Sequence, residues 1–176
     1  MYECFFELVK QRRSIRKFLS EQIDDNKIGM ILKAPLMAPT SKNSRSWEFV
    51  EVNDKTLLAQ LAIARPQGSG LLAHAAAAIV VLADPVKSDA WLEDASIAAA
   101  FIQLQSEDLG LGSCWVQIAR RPHDELQSAE QFVRGVLTIP DTLNVVCIIA
   151  LGYKEEERRP HDTDKLPVEK IHVNRY

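Results

Sequence analysis

The sequence predicts a mixed fold of helices and strands, α+β or α/β with helix in excess. Three observations predict it. Apolar residues recur at helical spacing in five stretches, and four short aromatic or β-branched runs read as strands. The two kinds alternate along the chain, with one helix much longer than the rest. Finally, 176 residues with 47% hydrophobic and 26% charged fit one soluble globular domain, or two very small ones.

The elements follow in order. Phe5, Phe6 and Val9 set a first helix over Tyr2–Lys10. The basic run Arg12 to Phe18 follows. Asp24 or Asp25 caps a second helix with Ile28, Ile31 and Leu32 on one face, and Pro35 kinks or ends it. A polar loop, Ala38 to Ser46, leads into a strand at Trp47–Val52. Asp54 caps a third helix carrying Leu57, Leu58 and Leu61. Pro66 to Gly70 is a loop by composition, and Ala78–Leu82 suits a strand buried on both faces.

The longest helix starts at Ser88 or Asp89 and runs to about Leu109. Ala95, Ala98, Ala99 and Ile102 form a small-residue face suited to close approach of a neighbouring helix. Gly110–Gly112 ends it. A strand at Ser113–Ile118, a helix over Asp124–Leu137 and a strand at Asn144–Leu151 complete the core pattern. From Gly152 onward the chain is charged and carries Pro160 and Pro167, an extended tail by composition.

Composition excludes several classes. The hydrophobic share argues against disorder, and 21 Lys+Arg against 24 Asp+Glu, a net charge of -3, argues against a general nucleic-acid binder. Three cysteines without a CxxC pair suggest neither a disulfide framework nor a zinc site. The opening residues lack the blocks of a signal peptide, and the apolar runs are shorter than the ~20 residues of a membrane span. A cytoplasmic protein is expected. Phosphate-loop, GxGxxG, HExxH and GxSxG patterns are missing, and the four histidines are scattered, as surface or internally satisfied side chains are.

Three clusters carry chemistry. Arg12, Arg13, Ser14 and Arg16 could grip a phosphate, since guanidinium forks match phosphate geometry; the same run reads equally as a solvated basic turn. Pro39 to Trp47 is rich in hydroxyl and amide groups able to meet a polar heterocycle; its plain alternative is a helix-to-strand loop. Gly110 to Ile118 puts glycines beside a strand, permitting close approach of a flat ligand, or simply capping a helix. Cys114 reads as a small buried hydrophobe, with no basic residue near it in sequence to make it a nucleophile.

In this order and spacing, RRSIRKF, APTSKNSRSWEFVEV, AAIVVLAD, WLEDASIAAAFIQLQSEDLGLGSCWV and VRGVLTIPDTLNVVCIIALGYKEEERRP resemble the FMN-dependent nitroreductase family over nearly the whole chain. The resemblance implies an α+β fold, a central mixed or antiparallel sheet wrapped by helices. It implies a single FMN-binding domain over 1–176, with 153–176 an extended C-terminal tail. It also implies an intertwined homodimer with an FMN at each subunit interface.

By the same resemblance, Arg12, Arg13, Ser14 and Arg16 hold the flavin's phosphate, ribityl chain and pyrimidine edge. Pro39, Thr40, Ser41 and Asn43 reach the flavin bound mainly by the other subunit. Val116, Gln117 and Ile118 lie beside the reactive N5 edge, and Lys165 or, more weakly, Arg159 completes the phosphate site. NADH or NADPH would donate hydride to flavin N5, and an electron-poor small molecule, nitroaromatic or quinone, would take it from the same place in ping-pong fashion. No side chain is then an obligatory nucleophile, and Arg13 is the candidate for stabilising reduced flavin. The rivals are a non-catalytic FMN-binding or redox-sensing module, and a specialised member that dehalogenates or fragments flavin. Thr40 stands where serine is common, and Arg45-Ser46 replaces a frequent Gln-Pro. Only Pro85–Ala90 separates the apolar strand from the long helix, where larger members insert a lid.

Overall fold

A computed structural model describes residues 4–176. Helix α1 spans Phe5–Gln11, and the expected start at Tyr2 lies outside the described residues. Helix α2 spans Asp25–Lys33, where the Asp24 side chain accepts the Asn26 N–H. Pro35 sits in a 3-10 turn, Ala34–Met37, that closes this helix. Strand β1 (Trp47–Val52) leads to α3 (Lys55–Leu61), capped by Asp54 through the Leu57 N–H. Then come β2 (Ala77–Ala83), α4 (Trp91–Asp108), β3 (Leu111–Gln117), α5 (Ala129–Leu137) and β4 (Asn144–Tyr153).

The strands form one antiparallel sheet in the order β1-β2-β4-β3. Strands β2 and β4 lie in the middle and are buried along nearly their whole length, as their unbroken apolar runs require. Alternate residues serve opposite faces. Val80, Leu82, Ile148 and Ala150 pack with Leu58 and Leu61 of α3 and Val133 of α5. Ile79, Val81, Ile149 and Leu151 pack with Ile28 and Ile31 of α2 and Ala95, Ala99 and Ile102 of α4. The small-residue face of α4 therefore lies against this chain's own sheet and against α2, so the neighbouring helix it meets belongs to the same chain.

Several boundaries move, among them β3, which starts at Leu111 and not at Ser113 and ends at Gln117. Helix α5 starts at Ala129, not Asp124. The Asp124 carboxylate instead accepts the Leu126 and Gln127 N–H groups in a turn, and Ser128 with Gln131 forms a reciprocal capping box. Helix α4 starts at Trp91 with no side-chain cap, because its cap position is Ala90, whose own N–H donates to Ser88 Oγ at 3.1 Å. Strand β4 runs through Gly152 and Tyr153, paired with Gly112 and Leu111, so the tail begins at Lys154. That tail is irregular, with 3-10 turns at Thr163–Lys165 and Val168–Lys170. Among the described residues no helix is long and apolar enough to cross a membrane.

Candidate active site

The residues after α1 run from the free edge of β3 over Gly112 and Gly152 to the end of β4. The Ile15 N–H donates to Ser113 O at 3.0 Å, and the Leu19 N–H to Tyr153 O at 3.0 Å. Beneath them, Gly112 and Gly152 face each other on β3 and β4. A Cβ on Gly112 would stand 2.8 Å from Ile15 Cβ, and one on Gly152 2.9 Å from Phe18 Cβ. These side chains fill the glycine shelf, so Gly112 offers no space for a flat ligand, and the sequence expectation is corrected there. Gly110, at φ +77°, makes the turn that ends α4.

This docking spreads the arginines over two sides. Arg12 and Arg16 bring their charge to Cys114, a neighbour the local sequence did not reveal. Burial still pushes the Cys114 thiol up, and the Arg16 and Arg12 guanidiniums offset this only in part. The Arg16 N–H donates to Glu156 Oε1 at 2.8 Å, and Arg158 Nη2 reaches the same carboxylate at 2.7 Å. The Arg16 amide first, then Arg158, holds the Glu156 carboxyl below its ordinary value. Among the described residues neither the Arg12 nor the Arg16 side chain has a carboxylate partner. Arg13 turns the other way. Its Nη1 donates to Arg159 O, and it lines a cavity of about 330 Å³ with Ile15, Glu107 and Lys154, the last two paired at 2.6 Å.

The tail returns to Arg12. The His161 N–H donates to Lys10 O at 2.9 Å, and Thr163 and Leu166 share a groove of about 250 Å³ with Arg12. Lys165 lies on that turn, exposed and paired with Asp162 at 2.8 Å. Arg159 meets the cluster through its carbonyl alone.

Strand β3 is an edge strand. Val116 and Ile118 are buried in the core, so their side chains face away from any ligand; Val116 pairs with Ile148 of β4, the Ile118 N–H donates to Val146 O at 3.3 Å, and the Ile118 carbonyl accepts the Arg121 N–H. Gln117 is half-buried, its amide held between Trp115 Nε1 at 2.8 Å and Ala119 O at 2.9 Å. Arg65 Nη1 donates to Gln117 O at 3.1 Å. Ser113 and Gln117 thus use the outer edge at its two ends, and the backbone around Trp115 between them faces outward.

The polar loop is built separately. Asp94 of α4 is buried, and its carboxylate accepts the Ser41 N–H at 2.8 Å and the Ser44 and Ser88 hydroxyls, both at 3.2 Å. Thr40 Oγ1 accepts the Arg45 N–H, and Asn43 Oδ1 accepts Arg45 Nε. Lys42, Asn43 and Arg45 all take left-handed φ values of 48–55°. Pro39 enters this loop. Asp94 sits at the start of α4, whereas Glu107, beside Arg13, sits at its end. Thirteen residues of helix separate them, about 20 Å. The chain therefore brings Arg12, Ser14 and Arg16 together with β3 and the tail, and keeps Pro39, Thr40, Ser41 and Asn43 away from them.

Two residues went unnoticed in the sequence. Asp94 left one signal, a lone carboxylate inside an alanine-rich helix. Arg65 left none. His123 is satisfied internally, with Nδ1 3.2 Å from Ala64 O and its ring stacked on Phe132 at 4.0 Å.

The model of the nitroreductase family matches residues 9–68 and 64–153. The chain belongs to the nitroreductase family. It is an oxidoreductase with the nitroreductase fold. An archaeal relative from Archaeoglobus fulgidus, named NADH dehydrogenase/NAD(P)H nitroreductase, is 35% identical over the full length of both chains. A solved FMN-dependent nitroreductase from Clostridium difficile is 43% identical, with a TM-score of 0.96 over 98% of this chain and 100% of its own. An NADH oxidase structure from Clostridium acetobutylicum is 26% identical, with a TM-score of 0.87 over 96% and 99%. In this nitroreductase-family chain the three clusters differ in kind: a docked basic segment, an open strand edge and a loop locked by Asp94.

Proposed function

We propose that this protein binds one FMN per chain and carries hydride from NADH or NADPH to an electron-poor acceptor, nitroaromatic or quinone, by a ping-pong mechanism. The observation that carries the reading is the pair of un-neutralised guanidiniums, Arg12 and Arg16, flanking Ser14 at the open edge of β3. Two fixed cations beside a hydroxyl suit a phosphate dianion, because charge-assisted bonds to phosphate oxygens replace the missing carboxylates. The names of the relatives, which include FMN-dependent and NAD(P)H-linked proteins, support the same group.

When bound, the flavin supplies the hydride chemistry. The chain's residues hold and orient it. Arg12, Ser14 and Arg16 take the phosphate and ribityl oxygens, with the turn bearing Lys165 closing over Arg12 and Arg159 fixing Arg13. The strand end Val116, Gln117 and Ile118 would flank the reactive edge of the bound flavin.

The loop Pro39, Thr40, Ser41 and Asn43 serves the flavin of a second subunit, a reading supported by its distance of about 20 Å along α4 from the arginines. No residue of α1 is buried, and Phe5 and Phe6 are 68% and 59% exposed. Leu166, Val168, Ile171 and Val173 of the tail are exposed too. So much uncovered apolar surface suits a homodimer interface. Residues 1–176 then act as one FMN-binding domain whose tail, from Lys154 onward, embraces the partner, and three free thiols suit the cytoplasm. The test is rapid mixing of flavin-loaded protein with NADH or NADPH, followed by a nitroaromatic or a quinone. Bleaching of the flavin absorbance and its return on adding acceptor are expected; a flavin that no nicotinamide bleaches overturns the reading.

A further inference from the structure

Beyond Gln117, at the end of the open strand edge, lie three arginines that the proposed flavin site does not absorb. Arg65 reaches Gln117 O at 3.1 Å from the turn after α3. Arg120 and Arg121 follow β3 directly. Two further contacts fix this corner. The Arg121 N–H donates to Ile118 O at 3.1 Å, and Arg121 O accepts the Ala129 N–H at 2.9 Å. His123 Nδ1, 3.2 Å from Ala64 O, ties the 120–123 turn to the residue preceding Arg65. Arg120 holds a left-handed φ of 59°, uncommon for a side chain of its size.

The charges in this corner are not balanced. Lys10, Lys42, Lys87, Arg134, Lys154, Arg158 and Lys165 all have carboxylate partners. Among the described residues Arg65, Arg120 and Arg121 have none. The nearby acid, Asp124, accepts two backbone amides and lies 3.8 Å from His123. Burial, and then the Arg121 charge, depress the Arg65 pKa, as expected for like charges held close without a counter-ion.

Guanidiniums without carboxylate partners, carried on a turn tied down by these backbone contacts, are suited to phosphate oxygens. Their position narrows the ligand. The patch adjoins the Val116–Ile118 edge, where the proposed function would hold a nicotinamide ring, and a dinucleotide carries its phosphates outside that ring. We propose that Arg65, Arg120 and Arg121 form the docking site for the phosphate groups of the pyridine dinucleotide. This rests on the proposed function, and it adds how the hydride donor is recognised.

The test substitutes the two exposed members, Arg120→Gln and Arg121→Gln together, in the flavin-loaded protein. Rapid mixing measures the apparent Kd and the limiting reduction rate for NADH and NADPH separately. Calorimetry measures binding of ADP-ribose and of its 2′-phosphorylated form, which needs no turnover and no flavin. The double variant should raise the dinucleotide Kd at least tenfold and weaken its salt dependence, with the limiting rate within twofold. Loss for both dinucleotides and both probes assigns the arginines to the diphosphate; loss for NADPH and the 2′-phosphorylated probe alone assigns them to the 2′-phosphate. Unchanged Kd values for all four ligands, or a slower limiting rate at unchanged Kd, overturn the proposal. A wild-type protein that binds ADP-ribose through these arginines yet takes up no FMN would keep the patch and remove the proposed function.

Discussion

Replacing Gly112 with alanine tests how the basic segment is held. The new Cβ would meet Ile15 Cβ and Cγ2 at 2.8 Å and Cγ1 at 3.1 Å. A Cβ cannot swing away by changing rotamer, so the backbone of the Ser14–Arg16 segment has to lift. Moving from 2.8 Å to ordinary contact at 3.4 Å is a shift of about 0.6 Å. The Ile15 N–H to Ser113 O bond, now 3.0 Å, would lengthen to about 3.6 Å and be lost. Overpacking costs about 1–3 kcal/mol, and the hydrogen bond adds about 1 kcal/mol. A total of about 2–4 kcal/mol lowers the thermal midpoint by about 4–16 °C in a chain of this size. Arg12, Ser14 and Arg16 move with the segment, so FMN affinity should fall at least tenfold. Gly135→Ala is the control: nothing lies within 4 Å of its Cβ and it sits in α5, so a gain of about 0.5–1 kcal/mol is expected. Urea unfolding and fluorescence titration with FMN measure both. A Gly112→Ala protein within about 0.5 kcal/mol of wild type, with unchanged FMN affinity, would refute the shelf.

Asp94→Ala removes the common acceptor of Ser41, Ser44 and Ser88; at about 1.5–3 kcal/mol per bond to a charged group and less than additive, it should cost about 3 kcal/mol and open the 40–46 loop to protease. A cleavage pattern like that of wild type would contradict this account of the loop. The Glu156 carboxyl is held below its ordinary 4.5, so its stabilisation is complete above about that pH and is lost as pH falls through the lower folded value. Glu156→Gln should therefore flatten the acid limb of a stability-against-pH curve and leave the neutral side lower, and an unaltered acid limb would remove Glu156 as the cause. Cys114→Ser should reduce flavin within about tenfold of the wild-type rate, about 1.4 kcal/mol in barrier, because burial keeps the thiol protonated. A thousandfold loss with FMN fully bound would make the thiol a reactant.

Periodicity and turn chemistry carried most of the fold. Trp47–Val52, Ala77–Ala83 and the Asp24 and Asp54 caps follow from local rules, since each depends on residues within a few positions. The start of α5 was misplaced because Asp124 and Ser128 both look like caps, and only the Gln131 reply to Ser128 decides between them. The small-residue face of α4 was visible, but a stripe of alanines does not say whether a helix or a sheet will cover it. At the site, residue identities were legible and their partners were not. That Ile15 fills the space above Gly112, that Arg12 and Arg16 meet Cys114, and that Asp94 closes the polar loop are contacts across about 50 to 100 residues. No local pattern encodes them.

The most direct measurement is the flavin content and assembly state of the purified protein, read together by absorbance and sedimentation across the same boundary. The account predicts a yellow species sedimenting as a dimer of the 19.8 kDa chain, with one FMN released per chain on denaturation. Arg16→Ala should sharply weaken that binding, by about 1.5–3 kcal/mol. A colourless protein that takes up no added FMN, or a monomer fully loaded with it, would contradict the shared site.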